Sequence, residues 1–369
     1  MNTERELILI GTYTEPILFG TGEIMQGKGE GICLVSLDVN SGALTPEKAF
    51  GDIRNPSFLC RHSRFLYAVN ELKEYCGKAT GSVSAFEILE EDGLPSLKFL
   101  GSQPSGGTDP CHVAADAQNG NVYVSNFMSG SVSVFPTTAN GELMECSCFL
   151  QHEGHGADPR RQAGPHAHSL VFDNEQKRAF VPDLGIDKLM VYNVDHAASQ
   201  LHYETALTAM PGDGPRFCVF HSNGRYCYLI NELASGVSVL EYHGESGEMT
   251  ERQRVSTLPD DFDKANICAD IHLSPDGRFL FASNRGHDSI ATFRVEQDGA
   301  HLTLLRHVSC GGKTPRNFAL SSSGKYLLVA NQDSDTLISF HINEEDGSLQ
   351  HADTLPIFTP VCVLPLGFH

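Results

Sequence analysis

Five side chains in this sequence are of the kinds that hold a small anion and move protons beside it: His166, His168, Arg216, Glu232 and Arg285. Guanidinium groups grip carboxylate or phosphate and stabilise a developing oxyanion. Imidazole and carboxylate groups exchange protons with water and leaving groups. His166 and His168 end a polar, glycine-bearing run from Gln151 that also holds His152, Glu153, His155, Asp158, Arg160 and Arg161. Two apart on a strand, the two histidines would share a face and differ in depth. His112, Asp183, Lys188 and Arg316 are expected as further substrate contacts. The histidines of the run have no companion carboxylate or cysteine at a recognised ligand spacing, so no metal is expected. His152 and His155 are expected to be solvated loop residues.

Other chemistries lack their residues. There is no Gly-x-Ser-x-Gly elbow on a strand-to-helix turn, which disfavours a Ser-His-Asp hydrolase. No glycine-rich phosphate loop precedes a helix, so no nucleotide cofactor is expected.

What must position these residues is a repeat. Proline recurs just before a short apolar strand in Asn55-Pro56, Asp109-Pro110, Gly164-Pro165, Gly214-Pro215, Thr314-Pro315 and Thr359-Pro360, mostly about 50 residues apart. One unit lacks the proline and reads Asn266-Ile267-Cys268-Ala269-Asp270-Ile271-His272. A tight turn and a second strand follow, as in Ser274-Pro275-Asp276-Gly277-Arg278 leading into Phe279-Leu280-Phe281-Ala282-Ser283-Asn284. Third strands follow in turn, and β-branched and aromatic residues dominate throughout. Units of this length holding about four strands are propeller blades. Leu7-Ile8-Leu9-Ile10 is a second strand with no first, and Pro360-Val361-Cys362-Val363-Leu364 a first strand with no second. Pairing them closes the ring. The expectation is an all-β chain: a seven-bladed β-propeller of four-stranded blades, forming one domain over residues 1–369. A WD40 propeller is set aside because the sequence has no tryptophan.

In antiparallel neighbours, the start of the first strand and the end of the second face the same way. First-strand starts then supply His112, His166, His168, Arg216, Asp270, His272, Arg316 and Asn317 to one mouth of the channel. Second-strand ends supply Asn70, Glu71, Asn126, Asp183, Asn231, Glu232, Asn284, Arg285, Asn331 and Gln332. The recurring asparagine reads as a structural residue that satisfies backbone groups. Glu232, Arg216 and Arg285 depart from the repeat, which points to function, with structural ion pairs as the competing account. On the functional account Arg285→Ala should abolish turnover and leave the thermal melt nearly unchanged. The long run before His168 is expected to form a rim or lid.

Composition narrows the partners. The 26 basic and 46 acidic residues give a formal net charge of −20, which weighs against nucleic acid or an anionic membrane as partner. No apolar run approaches the length of a membrane span, and the start Met1-Asn2-Thr3-Glu4-Arg5-Glu6 lacks a basic signal-peptide region. The eleven cysteines are scattered without a disulfide framework and fit reduced thiols in the cytoplasm.

At these residues the sequence resembles the lactonase family that includes the bacterial propeller-type 6-phosphogluconolactonases and the fungal 3-carboxy-cis,cis-muconate lactonizing enzyme. Gly11-Thr12-Tyr13-Thr14, Gly27-Lys28-Gly29-Glu30-Gly31-Ile32 and Arg161-Gln162-Ala163-Gly164-Pro165-His166-Ala167-His168-Ser169 carry the resemblance. So do Asp183-Leu184-Gly185-Ile186-Asp187-Lys188 and Ala330-Asn331-Gln332-Asp333-Ser334-Asp335. It implies a cofactor-free site of a histidine, two arginines and a glutamate, matching His168 (or His166 beside it), Arg216, Glu232 and Arg285. The implied activity is hydrolysis of a small anionic sugar lactone, 6-phosphogluconolactone foremost. A muconate-type lactonizing enzyme would use the same groups in reverse, and a non-catalytic binding propeller would share only the fold.

Overall fold

The computed structural model describes residues 5–19 and 22–368, so the segment Met1–Glu4 read above lies outside the described residues. Contacts group the chain into two compact units, residues 1–14, 27–52 and 217–369 in one and residues 15–26 and 53–216 in the other. Three four-stranded antiparallel sheets occupy the second unit. They are blade 2 (Pro56–His62, Phe65–Asn70, Ser82–Glu91, Leu94–Pro104), blade 3 (Pro110–Ala115, Val122–Asn126, Ser131–Phe135, Cys148–Gln151) and blade 4 (Val171–Phe172, Arg178–Asp183, Lys188–Asp195, Gln200–Thr208).

The first unit holds four more. Blade 5 comprises Pro215–Phe220, Tyr226–Asn231, Gly236–Tyr242 and Met249–Ser256, its first strand beginning on the last two residues of the other unit. Blade 6 comprises Ile267–Leu273, Phe279–Arg285, Ser289–Glu296 and His301–Ser309, and blade 7 Pro315–Leu320, Tyr326–Asn331, Thr336–Ile342 and Leu349–Pro356. Blade 1 pairs the last strand, Pro360–Phe368, with Arg5–Thr12, followed by Ile32–Asp38 and Leu44–Phe50. Ile10 lies opposite Val363 and Leu9 opposite Leu364, as the orphan strands of the sequence require. This is the seven-bladed β-propeller of four-stranded blades that the repeat predicts; helical structure among the described residues is limited to three single 3₁₀ turns.

Second strands read as unbroken apolar runs because both of their faces are covered. Tyr226–Asn231 and Tyr326–Asn331 are buried at every position. Neighbouring blades share the resulting cores: Tyr228, Ile230, Val237 and Val239 of blade 5 pack with Leu280, Ala282, Ala291 and Phe293 of blade 6. Each such buried aromatic or branched side chain stabilises by roughly 1.5–3 kcal/mol.

Two repeated hydrogen bonds fix the ends of the strands. Asn55, Asp109, Thr314 and Thr359, each just before a proline, adopt left-handed φ values of 39°, 52°, 58° and 42°. That turn aims their carbonyls at the residue after the second strand: Glu71 N–H donates to Asn55 O (3.0 Å), Phe127 to Asp109 (2.9 Å), Gln332 to Thr314 (3.0 Å) and Tyr13 to Thr359 (3.1 Å). In these four blades the first-strand start and second-strand end are therefore adjacent, as strand polarity demanded.

The second bond joins blade to blade. The asparagine ending the second strand donates Nδ2–H to the carbonyl of the residue just after the preceding blade's outer strand. The pairs are Asn126 to Ser105 (3.2 Å), Asn284 to Thr257 (2.8 Å) and Asn331 to Cys310 (3.0 Å). Glycine makes room for two of these clamps: a Cβ on Gly312 would lie 2.6 Å from Asn331 Nδ2, and one on Gly107 2.7 Å from Asn126 Cβ. Asn331→Ala should cost about 1–3 kcal/mol, the usual penalty for stripping a buried carbonyl of its donor. Urea unfolding would measure it, and a variant as stable as the parent would make the clamp incidental.

Candidate functional site

Blade 4 departs from the proline pattern. Its equivalents of the bonds above start one residue later than Pro165: Leu184 N–H donates to His166 O (3.0 Å), and Ala167 pairs with Asp183 as Pro110 pairs with Asn126 and Pro315 with Asn331. Register thus makes His168, not His166, the residue next after that pair. In blades 3 and 7 this place is a β-bulge, occupied by Cys111 and Arg316. Bulges re-aim a side chain out of the ladder. Arg216 follows Pro215 in the same sequence position.

His168 is buried, its main-chain N–H on Pro182 O (3.0 Å) and its Nδ1 3.8 Å from Cys111 Sγ. Cys111 donates its thiol to His168 O at 3.1 Å. His166 is half-buried and lies flat on the Phe127 ring at 4.6 Å, while His168 meets the same ring edge-on at 5.2 Å. His166 Nδ1 is 2.9 Å from Phe127 O. A carbonyl only accepts, so Nδ1 carries the proton and Nε2 of the neutral ring keeps its lone pair. Arg216 is buried, and its carbonyl accepts from Ser169 Oγ at 3.0 Å.

Three expectations in this unit change. Asp183 is wholly buried, one oxygen accepting from His166 N (2.7 Å) and Gly185 N (2.9 Å) and the other meeting His152 Nδ1 at 2.6 Å. It anchors the backbone and is not presented to a substrate. His152 is not a solvated loop residue: it is 4% exposed, with Nε2 2.9 Å from Tyr192 Oη; His155 is exposed as expected. His112 stacks on Phe58 at 4.4 Å and accepts Leu170 N–H at Nδ1 (3.3 Å), the contacts of a packing residue. Lys188 begins its strand half-buried, opposite Asp183. The run 152–165 is pinned from within, since fully buried Gln162 donates to Leu184 O (2.8 Å) and Asp187 Oδ1 (2.6 Å).

In the other unit, Glu232 and Arg285 meet: Arg285 Nη2 is 2.7 Å from Glu232 Oε2 and 2.6 Å from Cys268 O. Their side chains are only 4% and 10% exposed. Arg316 lies over the Tyr13 ring at 5.5 Å. Asp270, set into a bulge of blade 6, takes Asn317 Nδ2–H (2.6 Å) and Phe318 N–H (3.2 Å) from blade 7 and sits 3.1 Å from His272 Nε2. Asn317 Oδ1 then accepts Val363 N–H from blade 1 at 2.7 Å. These links make Asp270 and Asn317 cross-ties. Phe127, Cys111, His152 and Tyr192 escaped the sequence argument; aligning residues just after each outer strand would have found His152.

The ion pair reverses one expectation. Arg285→Ala would leave Glu232 buried without its counter-charge, a change that costs about 3–5 kcal/mol. Calorimetry should show a clearly lowered melt, and an unchanged Tm would mean that the pair contributes nothing. Glu232→Gln keeps the shape and is the gentler probe. A second outcome concerns pH. Burial disfavours the His272 cation, but the Asp270 charge, its hydrogen bond and the Phe318 backbone outweigh this and raise the His272 pKa above 6.5. Its contribution is then present in full below pH about 6.5 and lost as pH rises through the raised native value. The stability advantage over His272→Gln should shrink from pH 5.5 to pH 8.5; equal advantages would show that no such linkage exists.

The family model described as "Lactonase, 7-bladed beta-propeller" matches residues 7–365. The 6-phosphogluconolactonase of Bacillus subtilis is 35% identical over 357 residues, 96% of this chain and 96% of its own length. A solved protein from Lactobacillus plantarum superposes with a TM-score of 0.88 at 33% identity, covering 98% of this chain and 99% of that one. The periplasmic gluconolactonase of Pseudomonas aeruginosa gives 0.87 at 29% identity, over 98% and 99%. With nearly its whole length matched, the chain belongs to the lactonase family of seven-bladed β-propellers.

Proposed function

We propose that this protein hydrolyses a small anionic sugar lactone, 6-phosphogluconolactone first among them. The observation that carries the reading is the 35% identity over nearly the full length to an enzyme of that name, with His168, Arg216, Glu232 and Arg285 at strand-end positions. Water adds to the ring carbonyl, a base takes its proton, and the alkoxide released on ring opening is reprotonated. Arg216 is the group for the anionic substituent and the oxyanion, with Arg316 in support. His166, whose Nε2 can accept a proton, and His168 are the acid–base candidates. Glu232 acts through its bond to Arg285, holding that guanidinium in place. No cofactor enters this scheme. A net charge of −20 fits a partner gathered by local arginines, a small anion and not nucleic acid, and eleven cysteines outside disulfides fit the cytoplasm.

The test is acid release from freshly made 6-phosphogluconolactone, corrected for spontaneous hydrolysis. The protein should accelerate it, and Arg216→Ala should lower kcat/KM by about 100-fold or more, as loss of an oxyanion donor does. Hydrolysis no faster than in buffer would overturn the reading.

A further inference from the structure

The clamp between blades 3 and 4 is chemically inverted. In blades 3, 6 and 7 an asparagine donates to the main-chain carbonyl after the preceding outer strand. In blade 4 that asparagine is Asp183, which has no hydrogen to give. The residue just after the preceding outer strand, Cys148–Gln151, is His152, and its side chain supplies the donor. His152 holds the repeat's place: its N–H donates to Gly130 O at 3.0 Å, as Ser105 does to Gly81, Thr257 to Ser235 and Cys310 to Asp288. A carboxylate oxygen only accepts, so Nδ1–H of His152 donates to Asp183 whatever the state of Nε2. The Tyr192 hydroxyl fixes the other side of the ring. Burial pushes the Tyr192 phenol up, with the Asp183 charge and Tyr203 adding to it, so it stays protonated.

The exchange leaves a carboxylate oxygen for the next strand. Asp183 Oδ1 accepts His166 N–H, the Ala167 main chain bridges to Asp183, and His168 N–H bonds Pro182 O. We infer that His152, acting through Asp183, is a positioning residue that sets the His166-Ala167-His168 segment and keeps the His166 imidazole with its proton on Nδ1. This rests on the proposed lactone chemistry only for its effect on rate; the effect on the ring stands apart from it.

Two variants and two readouts test it. His152→Asn keeps an amide N–H where Nδ1 lies, and His152→Leu removes the donor. With lactone, His152→Leu should lose about 10- to 100-fold in kcat with KM within about two-fold, the scale of misplaced catalytic groups; His152→Asn should stay within about three-fold of the parent. Without substrate, ¹⁵N–¹H correlation spectra should report the Nδ1–H tautomer for His166 in the parent and His152→Asn, and a mixture in His152→Leu. A pure Nδ1–H signal in folded His152→Leu overturns the inference, as does kcat equal to the parent's. If His152→Leu fails to fold, His152→Asn with Tyr192→Phe decides: a lost tautomer preference in His152→Asn despite its amide overturns the inference, and a retained one in both upholds it. A parent without lactonase activity defeats the proposed function and leaves the spectra to judge His152.

Discussion

An amide group that donates to one carbonyl, where the outer strand of one blade gives way to the next, governs much of this structure. Each clamp is a neutral hydrogen bond in a site that excludes water, where the carbonyl would otherwise lose its partner at a cost of about 1–3 kcal/mol. Because Asn126, Asn284 and Asn331 take the same place in blades 3, 6 and 7, the second strands there are held at their ends as well as along their buried flanks. The apolar cores supply most of the stabilisation and specify the register along the strands. A directional bond at the strand end sets where the following residues emerge.

Those following residues include charged groups of the proposed site. Glu232 and Arg285 come directly from this strand end in blades 5 and 6, and their charges meet at 2.7 Å in a nearly dry setting. Such a pair has little net effect on stability when intact and a large one when halved. Replacing Arg285 therefore acts on folding as well as on the proposed site, in a way that replacing an exposed arginine would not. In blade 4 the clamp itself was altered, from amide to carboxylate, and the altered clamp holds the strand that carries the two histidines.

Strand type, blade count, the pairing of the chain's two ends and the adjacency of strand starts and ends were all readable from periodicity, because burial on both faces and tight turns leave compositional marks. The structural role of the recurring asparagine was readable too. The prolines misled by two residues in blade 4, where Ala167 and not Pro165 holds the paired place, since the run before His166 inserts length that only main-chain pairing can place. His152 looked solvated because it sits among glycine and charged residues; its burial comes from Tyr192 and Asp183, distant in sequence. The meeting of Glu232 with Arg285 depends likewise on contact between blades, which no single repeat encodes.

Blade 1 has its own consequence for how the chain comes into being. The strand Arg5–Thr12 takes as a neighbour Pro360–Phe368, with Leu9 opposite Leu364 although the two are far apart along the chain. During synthesis from the N-terminus, one edge of the earlier strand must wait, its N–H and C=O groups unpaired, until the later strand has left the ribosome. Among the strand pairings of the described residues this one closes the longest loop, and open edges of this kind recruit foreign strands. A nascent chain of this protein is thus open to misassociation at that edge until Pro360–Phe368 has emerged, and a chaperone covering it would stand in for the missing strand.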